Sequence, residues 1–303
     1  AICMLVTHIK ESAFERINSE IIKLFGGKYA HKAIINMDKT WLLEEIFPFV
    51  KELKQVPPNT HHHLDLFHHS VETVRQIQLI YEESDDEVKK HMDEKSFGGE
   101  SRLAHLKFAG FLHDIGKFST WTIEEDTGRH RFIKHDAIGA KLAENLLKET
   151  KFSNKQIKYI TAMIKNHIYP SQLMTAPEID FDTPAGEKAM MRFIRKTDDN
   201  VIDNIILAMA DRLSARGEAI TDEMVENNIF ALKKLLSFYL KIKDSLEPLP
   251  VLLDGNEVMK ILNIKPSKQL GEIMNALHEA QLSGDVTTKE QAVEFINNYA
   301  YHG

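Results

Sequence analysis

Apolar residues in this chain recur at three- and four-residue spacing from one end to the other, whereas alternating Val/Ile/Thr runs bounded by turn residues do not recur. That pattern commits the chain to helices packed on helices. Phe14, Ile17, Ile21, Ile22 and Phe25 set one apolar stripe on residues 12–25, starting at Ser12, and Gly26-Gly27 stop the helix. A second helix is expected over about 40–54, ended by Pro57-Pro58. A third is expected over about 65–83, with Phe67, Val71, Val74 and Ile77 on one face. The polar, acidic stretch 84–100 reads as a surface connection, and 102–114 as a strongly apolar helix. Ser153 and Gln156 form a capping box for a helix reaching about residue 166. Pro184 opens another helix, 200–213 and 222–245 complete the series, and Glu247-Pro248-Leu249-Pro250 marks a boundary. Asp254 with Glu257 and Thr288 with Gln291 read as two further capping boxes, with Gly284 ending the helix between them. The expected fold class is all-α: a short N-terminal helical unit (1–58), a central bundle (59–220), and a helical linker with a small tail (221–303).

Charge and cysteine usage narrow the function. The 303 residues carry 38 Lys+Arg against 45 Asp+Glu, a net charge of −7. This argues against a protein that coats nucleic acid by charge alone, and leaves room for a local basic groove. The single cysteine, Cys3, excludes a disulfide framework and a Cys-based zinc finger, and reads as inert. No apolar run reaches the roughly 18 residues needed to span a bilayer. The start of the chain is too short for a signal peptide and lacks a basic flank, so a cytoplasmic location and no membrane partner are expected. The chain does not begin with methionine, which points to a piece of a longer protein. Fifteen histidines is a high count, and they are unevenly placed.

His113-Asp114 closes the apolar run Phe111-Leu112-His113-Asp114-Ile115-Gly116-Lys117. A buried Asp costs several kcal/mol unless compensated, and an adjacent neutral His does not compensate it. A bound cation would. One His-Asp pair offers too few ligands, so partners are required: His69 on the third helix, and Asp211, another lone carboxylate in the apolar run Ala208-Met209-Ala210-Asp211-Arg212-Leu213. Four nitrogen and oxygen donors from three helices suit one divalent ion among Mn, Fe, Ni, Co, Zn and Mg. Lys117 is expected to contact phosphate, because Gly116 lets the backbone turn and carry the ammonium over the ion. Arg212 and Arg216 either read phosphate or form surface ion pairs. Arg129, His130 and Arg131 read as a solvated loop, and His61, His62, His63 and His68 as a mostly solvated cluster of which one member faces the site. His8, His31, His91, His105, His278 and His302 are expected to do nothing special.

The order His69, His113-Asp114, Asp211 resembles the signature of the HD superfamily of metal-dependent phosphohydrolases. His135, in Phe132-Ile133-Lys134-His135-Asp136, and His167, in Ile164-Lys165-Asn166-His167, fall where the two-metal members place theirs. For His135 a second-metal or phosphate-facing role is preferred over a helix-start histidine beside an Asp136 N-cap, and for His167 a site role over the mere end of a helix. Asn59-Thr60-His61-His62-His63-Leu64-Asp65-Leu66-Phe67-His68-His69-Ser70 and Ala210-Asp211-Arg212-Leu213-Ser214-Ala215-Arg216-Gly217 resemble the HD region of the tRNA nucleotidyltransferase/poly(A) polymerase family. Asp254-Gly255-Asn256-Glu257, Gly271-Glu272-Ile273-Met274-Asn275-Ala276-Leu277 and Gly284-Asp285-Val286-Thr287-Thr288-Lys289-Glu290 are similar to its C-terminal tail, and 10–55 to its helical neck. The nucleotide-adding head of that family, with a Gly-Gly-x-x-x-Arg-Asp element and a paired Asp-x-Asp, does not appear as a unit. Asp180-Phe181-Asp182 has the literal spacing but sits in a loop between Pro177 and Pro184. This chain is not expected to add nucleotides.

The resemblance implies an HD-domain bundle with a neck-like unit and a tail. It also implies one or two divalent ions held by His69, His113, Asp114, His135, His167 and Asp211, with Asp114 bridging and Lys117, Arg212 and Arg216 facing substrate phosphate. The expected reaction is hydrolysis of a phosphate ester on a phosphorylated small molecule, a nucleotide or an RNA end, with Asp114 and Lys117 as the catalytic pair. A divalent ion lowers the pKa of water from about 15.7 toward about 7, which supplies a nucleophile at neutral pH. The alternative is a non-catalytic RNA-binding body and tail that grips tRNA and whose head lies elsewhere. An iron oxygenase on the same scaffold ranks third.

Overall fold

The computed structural model describes residue 9, residues 14–176 and residues 180–302, with side chains described to residue 299. Cys3, His8, Ser12 and Pro177, and the side chain of His302, lie outside the described residues. Among the described residues the fold is all-α apart from one small hairpin. It falls into two compact units, one taking the chain through residue 175 and again over 202–236, the other taking 176–201 and 237 onward.

In the first unit, α1 (Phe14–Gly26) is the helix expected over 12–25 and α2 (Ala30–Lys39) follows it, while α3 (Leu42–Ile46) and α4 (Val50–Leu53) replace the single helix expected over 40–54. Two local breaks explain the difference. Trp41 takes a left-handed conformation at φ 67°, and Phe47 is driven out of the helical region at φ −126°, ψ 81° by the ring of Pro48. Next come α5 (Leu66–Glu83), capped by Asp65, and α6 (Asp86–Asp93), capped by Asp85. The expected surface connection thus contains a helix, and α6 buries Val88 and Met92. Every residue of α7 (Arg102–Leu112) is buried. It is the axial helix of the unit, packing on α1, α5, α6 and α10 (Asn154–Asn166). Phe25, Phe47, Phe108, Phe111 and Phe152 interlock around it at ring-centroid spacings of 5.0 to 5.9 Å, within the range where aromatic pairs add to simple burial.

A single turn, α8 (Lys117–Thr120), leads into β1 (Trp121–Ile123), which pairs antiparallel with β2 (His130–Phe132) in the register Trp121↔Phe132. His130 and Arg131, expected in a solvated loop, therefore lie on a strand. Three-residue strands are too short for alternation to register in a sequence. Lys134, left-handed at φ 60°, opens α9 (His135–Glu149), so Asp136 falls in its first turn instead of capping it. α10 starts on the expected Ser153/Gln156 capping box and pairs with α9. α11 (Tyr169–Met174), α13 (Val201–Ser214) and the first part of α14 (Asp222–Ile242) complete this unit.

The second unit holds α12 (Pro184–Thr197), α15 (Gly255–Leu262), α16 (Lys268–Ser283) and α17 (Lys289–His302). Leu253, Val258, Ile273, Leu277, Ala280, Val286, Ala292 and Ile296 form its core. Its caps follow the sequence closely: Asp254 and Glu257 bond reciprocally, Gly284 closes α16, and Gln291 bonds back to Thr288. Asp180 and Asp182 lie in the loop that caps α12, where Asp180 Oδ1 accepts from the Asp182 amide. No described helix is long and apolar enough to cross a membrane.

Candidate metal centre

Six side chains anticipated from the sequence converge at one end of the first unit. His69 comes from α5, one turn after the Asp65 cap. His113 ends α7 and Asp114 follows it, so the buried axial helix delivers both without exposing them. Asp211 comes from the last turns of α13, His135 opens α9, and His167 ends α10. The two helix-end readings of His135 and His167 are thus accurate as local descriptions and compatible with a place in the cluster.

The donors fall into two groups that share Asp114. On one side, His69 Nε2 lies 3.4 Å from Asp114 Oδ2 and 3.1 Å from Asp211 Oδ1, and His113 Nε2 lies 3.1 and 3.5 Å from the same two oxygens. On the other side, His135 Nε2 and His167 Nε2 lie 3.4 and 3.6 Å from Asp114 Oδ1. Asp114 is 1% exposed; the Lys117 ammonium reaches Oδ2 at 2.6 Å, and Oδ1 faces only the imidazoles of His135 and His167. One ammonium serves only Oδ2, and the two donor groups that share this buried carboxylate could each hold a further cation.

The imidazoles point the same way. His113, His135 and His167 each donate Nδ1–H to a backbone carbonyl three residues back: Gly110 at 2.7 Å, Phe132 at 2.8 Å and Ile164 at 2.6 Å. Those bonds fix the rings and turn every Nε2 toward Asp114, the arrangement that orients metal-binding histidines. It also leaves Nε2 of His135 and His167 only 3.2 Å apart, and Nε2 of His69 and His113 only 3.3 Å apart. In the His135/His167 pair, where both Nδ1 atoms are committed to carbonyls, two lone pairs so close repel unless a proton or a metal ion lies between them. The nitrogen and oxygen donor set fits a divalent transition ion in each group.

Charge follows position. Burial would lower the His113 pKa, but the adjoining Asp114 and Asp211 carboxylates outweigh it and hold the ring at about 10. Burial would raise Asp114 and Asp211, yet the surrounding imidazoles, and Lys117 for Asp114, keep both well below the usual carboxylate range. For His135, burial dominates and the pKa falls.

Lys117 sits with its ammonium 2.6 Å from Asp114 Oδ2 and 5.5 Å from the Phe132 ring centroid. Gly116 has ordinary helical angles, φ −76° and ψ −16°, so its role differs from the expected flexible turn. A Cβ there would meet the His135 carbonyl oxygen at 2.1 Å. Glycine is needed for the close approach of α8 to the start of α9. Arg216 pairs at the surface with Asp222 at 3.2 Å, and Arg212 is half-buried next to Asp211.

His62 is the member of the loop cluster that faces the site. Asn59 Oδ1 accepts from the amides of His61 and His62, and the loop docks where Gly217 donates to the His61 carbonyl at 3.0 Å. His62 Nε2 accepts from Lys117 at 3.2 Å, and its ring meets His69 edge-on at 4.5 Å. Burial, reinforced by the Lys117 charge, pushes its pKa down to about 2. Three successive histidines after Asn59 gave no means of choosing among them.

Residues 66–216 match the family described as HD domain, and the matched span contains all six converging donors. The chain carries an HD domain. Residues 1–54 match a second family, described as the probable RNA and SrmB-binding site of polymerase A. The A-adding tRNA nucleotidyltransferase of Deinococcus radiodurans is 28% identical over 288 residues, covering 95% of this chain and 59% of that protein. The CC-adding tRNA nucleotidyltransferase of Thermus thermophilus is 28% identical over 285 residues, covering 94% of this chain and 56% of its own length. The chain therefore spans under three fifths of the length of these relatives.

Proposed function

We propose that the HD domain is a metal-dependent phosphohydrolase acting on phosphodiesters or phosphomonoesters at nucleotides or RNA ends. The observation that carries this reading is Asp114, a buried carboxylate shared between two sets of imidazoles whose donor atoms all lie within reach of one ion each. His69, His113, Asp114 and Asp211 would hold one divalent ion, and Asp114, His135 and His167 a second. Such ions supply Lewis acidity to a phosphoryl oxygen and lower the pKa of water toward about 7. The chain's own groups do the rest. The three carbonyl-anchored histidines keep their Nε2 atoms fixed before substrate arrives, which removes reorganisation from the reaction. Lys117, already held by Asp114 and His62, supports negative charge developing on phosphorus oxygens when it turns from the carboxylate to the substrate. Arg212, half-buried beside Asp211, adds a second cation for phosphate, and Arg216 serves the same end once released from Asp222.

Hydrolysis of bis-p-nitrophenyl phosphate and of a 2′,3′-cyclic nucleotide, assayed with Mn, Co, Ni or Mg added, tests the reading. Asp114→Ala is expected to abolish turnover and uptake of both ions while leaving the helical circular dichroism unchanged. Absence of hydrolysis with every metal would refute the enzyme. A second reading, an RNA-holding body, rests on the match of residues 1–54 to an RNA-binding family and on the relatives' names. It requires measurable tRNA binding by this chain at physiological salt.

A further inference from the structure

The same bundle contains another buried carboxylate, Asp203, both of whose oxygens, unlike those of Asp114, are taken up by directed hydrogen bonds. It is 0% exposed and fully satisfied. Oδ1 accepts from the Tyr159 hydroxyl at 2.5 Å and from Arg102 Nε at 3.3 Å. Oδ2 accepts from His91 Nε2 at 2.7 Å and from Arg102 Nη2 at 3.0 Å. The Arg102 guanidinium in turn lies over the rings of Phe97 and Tyr159 at 5.5 and 5.4 Å. His91, for which the sequence offers no role, is thus one of four groups in a closed network.

The network joins four helices, and three of them carry donors of the metal centre. Arg102 begins α7, which ends at His113-Asp114; Tyr159 lies on α10, which ends at His167; Asp203 lies on α13, which bears Asp211. On α10 and α13 the network residue precedes the donor by two turns, roughly 12 Å along a continuous helix, and on α7 by three, roughly 16 Å. A helix transmits an axial shift or rotation along its whole length, because its hydrogen bonds keep it stiff. Locking three helices together at one level therefore sets the relative height and rotation of their donors at the other.

We infer that Asp203 is a positioning residue for the metal centre: with Arg102, Tyr159 and His91 it fixes the register of the helices that present His113, Asp114, His167 and Asp211. The inference rests on the metal-centre reading above for its functional meaning, and on the network geometry for its structural meaning. α5 and α9, which supply His69 and His135, lie outside the network, so loosening it separates donors within both groups.

The test uses the full chain carrying Asp203→Asn or, as a milder change that removes one hydroxyl, Tyr159→Phe. Leu43→Ala in α3, which bears no donor, serves as a control matched for loss of thermal stability. Cobalt(II) titration of metal-stripped protein, read by visible absorption, is expected to show about ten-fold weaker binding and an altered band shape in the network variants. The Leu43→Ala control is expected to bind as the unaltered chain does. Long-range proton–nitrogen NMR of the imidazoles in metal-free protein is expected to show shifted Nε2 signals for His113 and His167 in the network variants alone. Unshifted imidazole signals, or shifts equal to those of the control, overturn the positioning role. If the unaltered chain takes up no cobalt, the metal-centre reading fails, and the imidazole signals by themselves decide whether Asp203 positions the histidines.

Discussion

A methyl group on Gly116 would lie 2.1 Å from the His135 carbonyl oxygen and 2.6 Å from the Gly139 nitrogen, distances that no side-chain motion relieves because both are backbone atoms. Gly116→Ala must therefore push α8 away from α9, and with it Asp114 away from His135. Overpacking of this kind costs about 1–3 kcal/mol, and urea denaturation of the variant should show a loss of that size together with weaker metal uptake. Lys107 offers a second test. Its side chain is fully buried, its ammonium donates to the Gly27 carbonyl at 3.1 Å and to Gln78, and burial lowers its pKa from 10.5 to about 8. The unfolded chain then holds this proton more tightly than the folded one. Between about pH 8 and 10.5 the unfolded state carries the extra proton, so stability rises with pH across that window, by up to about 3 kcal/mol. Urea midpoints measured from pH 7.5 to 10.5 should rise in the parent chain and rise less in Lys107→Met. An equal rise in both would show that Lys107 is not the cause.

At the scale of the element, what was legible is what is local. The Ser153/Gln156 and Asp254/Glu257 boxes satisfy the amides of their own turn, Pro184 presets φ at a helix start, and Gly284 closes its helix by taking a left-handed φ of 74°, so no distant partner is needed to specify them. The Asp254 cap is correspondingly testable. Asp254→Ala is expected to cost about 1 kcal/mol, read as a lower melting temperature, whereas Asp254→Asn should retain most of the cap. The segments that escaped were shorter. The helical stretch around Trp41 is broken by a left-handed Trp and by the residue before Pro48, and periodicity runs through both breaks without registering them. The hairpin of β1 and β2 has too few residues to alternate, yet it supplies the Phe132 carbonyl that fixes His135.

At the scale of the whole molecule, chain order and spatial grouping diverge. α12 lies between α11 and α13 in sequence but packs on α16 of the tail, with Met190, Phe193 and Ile194 on its buried face. Arg192 and Lys196 add surface ion pairs to Glu279 at 3.8 and 3.5 Å, worth little by themselves. A chain ended after Leu236 would leave that apolar face uncovered. It is expected to bind an environment-sensitive dye such as ANS and to aggregate; a monodisperse truncated chain without dye binding would contradict this. The sequence by itself determined the helical class and most helix caps, and it singled out Asp114 and Asp211, because a carboxylate in an apolar helix is costly wherever that helix goes; His135 and His167 became candidates only through the resemblance to the HD superfamily. Tertiary structure alone decided that His62 and not its neighbours meets Lys117, and that Asp203 ties together the helices behind the site. Those relations join residues tens of positions apart. They exist only once packing has brought separate helices to one level, and no local pattern encodes that distance.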